Sequence, residues 1–288
     1  MPEANPEILG LHHASAVAAG AAPCDRFYRE VLGLSRVKKT VNFDHPEDHH
    51  LYFADPAATP GSVMTCFTDA DAGPHRPGPG EVDRIVFAIP QGALLAWERR
   101  LVEAGAAPTA DGPVLAFTDP AGIPLGLVER GDAAGEPGSL GGRIDHVRLS
   151  VEDPDAAVRF FEQGLGVRCG EGGPLRVHAD ASGRVRGDRK LGCGGVDHVA
   201  LHVADDAALR AVHARVRALG LEPTEVKDRN YFHSIYFEEP GGTRIEVATS
   251  GPGFAVDEPA GRLGRSLMLP PELEGRRAEI ESRLADLP

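Results

Sequence analysis

A short strand-like phrase recurs four times along this 288-residue chain, and the recurrence restricts the possible folds more than any other feature. It reads Leu11-His12-His13-Ala14-Ser15-Ala16, then Val82-Asp83-Arg84-Ile85-Val86-Phe87. It returns as Ile144-Asp145-His146-Val147-Arg148-Leu149 and as Val196-Asp197-His198-Val199-Ala200-Leu201. Each copy alternates as a strand does when one face packs on a core. A helical pattern follows each: Cys24 to Leu34, Leu94 to Gly105, Asp153 to Gly166, and about Asp206 to Gly220. A glycine at or near the end of each suits the left-handed residue that closes a helix.

Later in the second and fourth copies, Asp119-Pro-Ala-Gly and Glu239-Pro-Gly-Gly read as turns between antiparallel strands. The repeated unit is therefore βαβββ, and four such modules make an α+β fold. The third is the shortest, and its late strands are the hardest to place. Residues 8–130 hold the first pair of modules and residues 143–256 the second. The Gly-, Ala- and Pro-rich stretch from Gly131 to Gly142 reads as the linker between them. Residues 257–288 form a tail. Its segment from Pro270 to Leu284 has proline at a helix start and apolar residues at helical spacing, so a helix packing on the body or a partner subunit is expected.

Composition narrows the function. A formal net charge of −13 argues against a nucleic-acid or membrane-surface binder. No apolar run is long enough to span a bilayer, and the N-terminus lacks the basic and apolar regions of a signal peptide. Four scattered cysteines without a C-x-x-C pair suit reduced thiols in a cytoplasm. These bounds leave a soluble intracellular protein, with an enzyme among the options.

Equivalent slots of the repeat carry the chemistry. The third residue of the phrase is His13, Arg84, His146 and His198, and the late strand offers Glu246 in the fourth module but Gly126 in the second. Two histidines and one carboxylate are the minimum for a facial triad on a non-heme divalent metal. His146 competes with His13 for one place. Tyr236 and Glu246 lie symmetrically about Pro240-Gly241-Gly242, so a hairpin there places them opposite each other on one face. His198, Ala200 and His202 share a face, while Val199, Leu201 and Val203 face the core. His45, His49 and His50 fall in an acidic, loop-like stretch and are expected at the surface.

The βαβββ modules resemble the vicinal oxygen chelate superfamily of glyoxalases, bleomycin-resistance proteins and extradiol dioxygenases. The runs Gly10-Leu11-His12-His13, Gly33 to Asp44, His50 to Asp55 and Pro60 to Thr65 are similar to ring-cleaving dioxygenases of the hydroquinone 1,2-dioxygenase type. So are Asp228 to Gly242 and Leu267-Met-Leu-Pro-Pro. The resemblance implies two incomplete barrels and metal ligands His13, His198 and Glu246, with His146 structural. It also implies catalytic or supporting roles for His12, Arg229 and Tyr236, and for Ser15. The implied cofactor is Fe(II), with Mn(II) as the ion of similar donor preference, and the implied partners are a small aromatic substrate and O2 in a homo-oligomer. One departure stands out: relatives often carry a histidine where this chain has Asp197. A glyoxalase-like lyase or isomerase and a non-catalytic drug- or quinone-binding protein are the alternatives. The lyase needs a fourth protein ligand, which Gly126 does not supply.

Overall fold

The computed structural model describes residues 8–43, 45–69, 71–133 and 140–287. The N-terminal stretch considered for a signal peptide, and residues 134–139 of the expected linker, lie outside the described residues.

The first module folds as β1 (Gly10–Val17), helix α1 (Ala21–Arg26), β2 (Ser35–Val41), β3 (His49–Ala54) and β4 (Val63–Phe67). The second follows as β5 (Glu81–Pro90), α2 (Leu94–Glu103), β6 (Thr109–Asp111), β7 (Val114–Thr118) and β8 (Pro124–Arg130). The third has β9 (Ile144–Val151), α3 (Pro154–Arg159) and β10 (Leu175–Ala179). The fourth has β11 (Val196–Val203), α4 (Asp206–Ala218), β12 (Lys227–Asp228), β13 (Phe232–Glu238) and β14 (Arg244–Pro252). The helices α1 and α3 both run on into a π turn, Phe27–Val31 and Phe160–Gly164, so the repeated aromatic-to-Leu-Gly ending encodes a shared local geometry.

The third module, expected to be the shortest, carries the fewest strands. Only β10 follows its helix, paired parallel to β9 as β4 is to β1. The reason is local. Gly170, Gly172, Gly173 and Pro174 break the first stretch, and residues 180–195 are rich in glycine and charge, so neither can supply an alternating apolar face.

Two sheets result. The eight-stranded sheet has the order β12-β13-β14-β11-β1-β4-β3-β2, and the six-stranded sheet the order β10-β9-β5-β8-β7-β6. The first module therefore pairs with the fourth and the second with the third, across the boundary between the chain halves 8–130 and 143–256. The first sheet curls into a half-barrel, while the second stays more open. A shared core lies beneath both, where Val199, Leu201 and Val203 join Leu209, Val212 and Val216 of α4.

The tail is helical but broken at Gly275 into α5 (Pro271–Glu274) and α6 (Arg277–Arg283). It packs on the body: Leu269 and Ile280 close on Val41 of the edge strand β2. Among the described residues, no helix is long and apolar enough to cross a membrane.

Candidate metal centre

The antiparallel pairing of β1 with β11 brings the first and fourth modules together, and its register carries two irregularities. Leu11 pairs with Leu201 but His13 with Ala200, so His12 is the extra residue of a bulge. Ser15 pairs with His198 but Ala16 with Val196, so Asp197 is its counterpart on β11. Each bulge turns the extra side chain toward the histidine that follows it. His12 and His13 share a hydrogen bond between their Nδ1 atoms at 2.8 Å. Asp197 Oδ2 accepts from His198 Nδ1 at 2.5 Å.

With Nδ1 engaged on each ring, the Nε2 atoms converge. They lie 3.3 Å apart. Glu246 projects from β14, which runs parallel to β11, and its Oε2 sits 3.0 Å from His13 Nε2 and 2.9 Å from His198 Nε2. Glu246 is fully buried, yet no hydrogen bond reaches Oε2. An orphaned buried carboxylate oxygen beside two converging imidazoles is costly unless a cation lies between them. With metal–ligand bonds of about 2.1 Å, neighbouring corners of an octahedron stand about 3.0 Å apart, close to all three separations seen here. The residues fit a divalent ion. Among the described residues, His13, His198 and Glu246 are the sole group of three or more such side chains brought so close.

The other oxygen of Glu246 is held by the protein. Tyr236 faces Glu246 across the β13–β14 hairpin, as the turn predicts, and its hydroxyl donates to Oε1 at 2.8 Å. Arg229 Nε donates to that same hydroxyl at 3.1 Å, and its guanidinium lies 5.1 Å from the centre of the Tyr236 ring. Burial, seconded by Glu246, raises the Tyr236 phenol well above its ordinary range, so it stays a donor.

The two histidines differ electrostatically. Burial lowers the pKa of His13 despite Glu246. Burial also opposes charge on His198, but Asp197 and Glu246 together outweigh it and hold the pKa up at about 9. Burial works against ionisation of Glu246 as well, and the two histidines more than reverse it, keeping the group well below the usual carboxylate range.

A cavity of about 390 Å³ opens above this cluster. Its lining comes from six neighbouring strands: His13 and Ser15 on β1, His50 and Tyr52 on β3, Phe67 on β4, His198 on β11, Tyr236 on β13 and Glu246 on β14. Side chains from so many strands meet in one space only because the sheet curls around it. Arg229 and Arg244 add cationic lining, and Phe43 and Leu191 apolar lining.

The structure corrects two surface expectations and places two histidines elsewhere. His49 and His50 belong to β3; His49 is buried, and His50 lines the cavity. His50 stacks on Phe67 with ring centres 4.0 Å apart, and it bonds Thr65 Oγ1 at 2.9 Å and the Tyr52 hydroxyl at 3.0 Å. Thr65 in turn bonds Ser15 Oγ at 2.8 Å. The signal was the period-two spacing of His50 and Tyr52, which puts both on one face. His12 does not reach this cavity; its ring lies behind His13, against Phe232 and His202. His146 stands in the other sheet, bonded to Asp145 at 2.7 Å.

Comparison with known proteins gives the chain its family. The signature of the glyoxalase/bleomycin resistance protein/dioxygenase superfamily covers residues 143–247. MhqO of Bacillus subtilis, a candidate ring-cleaving dioxygenase by name, is 34% identical over 300 residues that span 96% of each chain. This chain belongs to that superfamily, among its bacterial ring-cleaving dioxygenases. A solved structure of a candidate dioxygenase from Bacillus subtilis superimposes with a TM-score of 0.90 at 32% identity, covering 98% of both chains. The chlorohydroquinone/hydroquinone 1,2-dioxygenase of Sphingobium indicum is 29% identical over 97% of both chains. Within the superfamily fold, the cluster on β1, β11 and β14 sits at the base of the curled sheet, facing an open cavity.

Proposed function

We propose that this protein is a non-heme iron(II) dioxygenase that opens a hydroquinone-type aromatic ring with O2. The observation that carries the reading is the convergence of His13, His198 and Glu246 at the floor of a cavity sized for one substituted ring. The ring-cleaving relatives support it. The N2O donor set suits Fe(II), and Mn(II) has the same preferences.

When bound, iron(II) would supply a Lewis acid that lowers the phenol pKa and a route for electrons from the ring to dioxygen. The rest falls to the protein. Tyr236 fixes Glu246 by donating to Oε1, and Arg229 offers positive charge to an ionised phenolic oxygen. His50 is kept neutral by burial, and the Tyr52–His50–Thr65–Ser15 chain is placed to accept and pass on a phenolic proton. His12 orients His13 by holding its Nδ1, leaving Nε2 for the metal. Phe43, Phe67 and Leu191 shelter the ring from water.

The test is oxygen uptake by protein purified without oxygen, after its iron has been counted, on hydroquinone, substituted hydroquinones and catechol. One iron per chain and oxygen consumption with a hydroquinone are expected. Bound iron with no uptake on any phenol would sink the proposal. The same reading puts the protein in the cytoplasm, in keeping with four free thiols, and without a nucleic-acid partner, in keeping with a net charge of −13. Light scattering checks the expected homo-oligomer.

A further inference from the structure

We propose that the C-terminal tail is the outer clasp of the substrate cavity: docked through Leu269 and Ile280, it holds Phe43 in place and so sets affinity for the aromatic ring. This rests on the ring-cleavage reading for the identity of the ligand.

The loop between β2 and β3 carries Asn42, Phe43, His45 and Asp48 to the cavity, with His50 just beyond it. The strand leading into this loop, β2, is the edge of the eight-stranded sheet. An open edge leaves backbone groups without a strand partner. The tail covers part of it: Leu267 bridges to Lys39, and Met268 N–H donates to Lys39 O at 2.9 Å. Beyond this contact, Leu269 and Ile280 bury against Val41, with Phe43, Leu267, Leu273 and Leu284 packed around them. The segment after α6 adds two fastenings, Ala285 O to His49 Nε2 at 2.9 Å and Leu287 O to Lys39 Nζ at 3.1 Å.

These contacts fall on the two strands that enter and leave the loop. The metal ligands stand on other strands, β1, β11 and β14. Phe43 belongs to both sides, because it packs in the tail cluster and also lines the cavity. The hold is narrow. The seven-residue α6 has Ile280 as its single buried residue, and a helix that short has no stability of its own in water. Docking at Ile280 is what keeps it folded.

The experiment compares wild type, Ile280→Asp and Ile280→Val as full-length, iron-loaded proteins. A carboxylate at position 280 cannot stay in an apolar contact and should free the tail, whereas valine should keep it docked. Iron content, tryptic cleavage within the tail, and kcat and KM for hydroquinone are read together. Equilibrium dialysis with hydroquinone, without oxygen, gives affinity independently of turnover. For Ile280→Asp the expected result is unchanged iron, rapid cleavage in the tail, a rise in KM and in the dialysis Kd of about tenfold, and kcat within about twofold. Ile280→Val should match wild type. A freed tail with unchanged KM and Kd overturns the clasp, as does a tail that stays protected in Ile280→Asp. Loss of iron in step with KM would also overturn it, by making the tail a general support of the sheet. Wild type that binds hydroquinone but consumes no oxygen defeats the ring-cleavage reading, and the dialysis comparison still decides the clasp.

Discussion

The two sheets use the same plan and reach opposite ends. Each joins two modules through an antiparallel pair of first strands, β1 with β11 and β5 with β9, and each pair has two register shifts at matching places. The bulged residues are His12 and Asp197 in one sheet, Asp83 and Asp145 in the other. The turns before the last strands match as well. Asp119 Oδ1 accepts from the backbone of Ala121 and Ile123, and Glu239 accepts from Gly241 and Thr243. At the slots that matter, however, the six-stranded sheet has Arg84, His146 and Gly126. Its space is filled by ion pairs: Arg84 with Asp111, and Arg148 with both Asp83 and Asp111. A Cβ added at Gly126 would lie 2.6 Å from Val114 Cγ1. The missing strands of the third module also deprive this sheet of a wall. A common backbone plan is therefore not enough for a metal site. It also needs room at the late-strand slot and a sheet long enough to enclose it.

Removing a ligand should give the largest effect and would break the comparison if it failed. His13→Ala or Glu246→Ala is expected to abolish iron binding and oxygen uptake, whereas His146→Ala should keep both. Iron analysis of the three variants decides this, and a metal-free His146→Ala would transfer the site to the wrong sheet.

Next in size is the carboxylate behind His198. Asp197→Asn should weaken iron binding by about 10- to 100-fold, and Asp145→Asn should leave it unchanged. Because His198 titrates at about 9 without metal, iron must displace a proton at neutral pH. Affinity should then climb about tenfold per pH unit up to that value, then level off. Asp197→Asn should move the plateau to lower pH. Chelator competition between pH 6 and 10 measures both, and a plateau at the same pH in the two proteins would count against this role for Asp197.

Gly126→Glu tests whether the second sheet could acquire a ligand. The clash with Val114 should cost about 3 kcal/mol, seen as a lower Tm, with no second iron bound. A stable variant with two irons would refute the space argument.

The smallest effect concerns Asp119, whose pKa burial pushes up to about 6. Its folded value lies above its unfolded one, so the native state holds the proton more tightly. Stability from this group is lost as pH rises from about 4 through about 6 and is flat above. Asp119→Asn should therefore raise stability at pH 8 and much less at pH 4, by less than the roughly 3 kcal/mol that a two-unit shift represents, because an amide oxygen accepts more weakly from the Ala121 and Ile123 N–H groups. Denaturant titrations at both pH values provide the check.

Much of this was legible in the sequence, because it depends on local order. Alternation marked the strands, and the turn at Pro240 placed Tyr236 opposite Glu246 correctly. The equivalence of positions 13, 84, 146 and 198 held through the fold. The pairing of first with fourth module was not legible from residue pattern, since strand partners so distant leave no local trace. The bulges at His12 and Asp197 were hidden for a related reason: a bulge belongs to two strands, and neither sequence alone displays it. His50 was obscured by its acidic, polar surroundings, whose charge masked a two-residue strand period.

The seam between β1 and β11 also has a consequence for synthesis. His13 leaves the ribosome 233 residues ahead of Glu246 (246 − 13), and at usual elongation rates the delay between them is on the order of ten seconds or more. Throughout that delay the growing chain has no complete iron site. The nascent protein is thereby kept from assembling a redox-active centre before its fourth module exists, and iron loading marks a chain in which the first and fourth modules have paired.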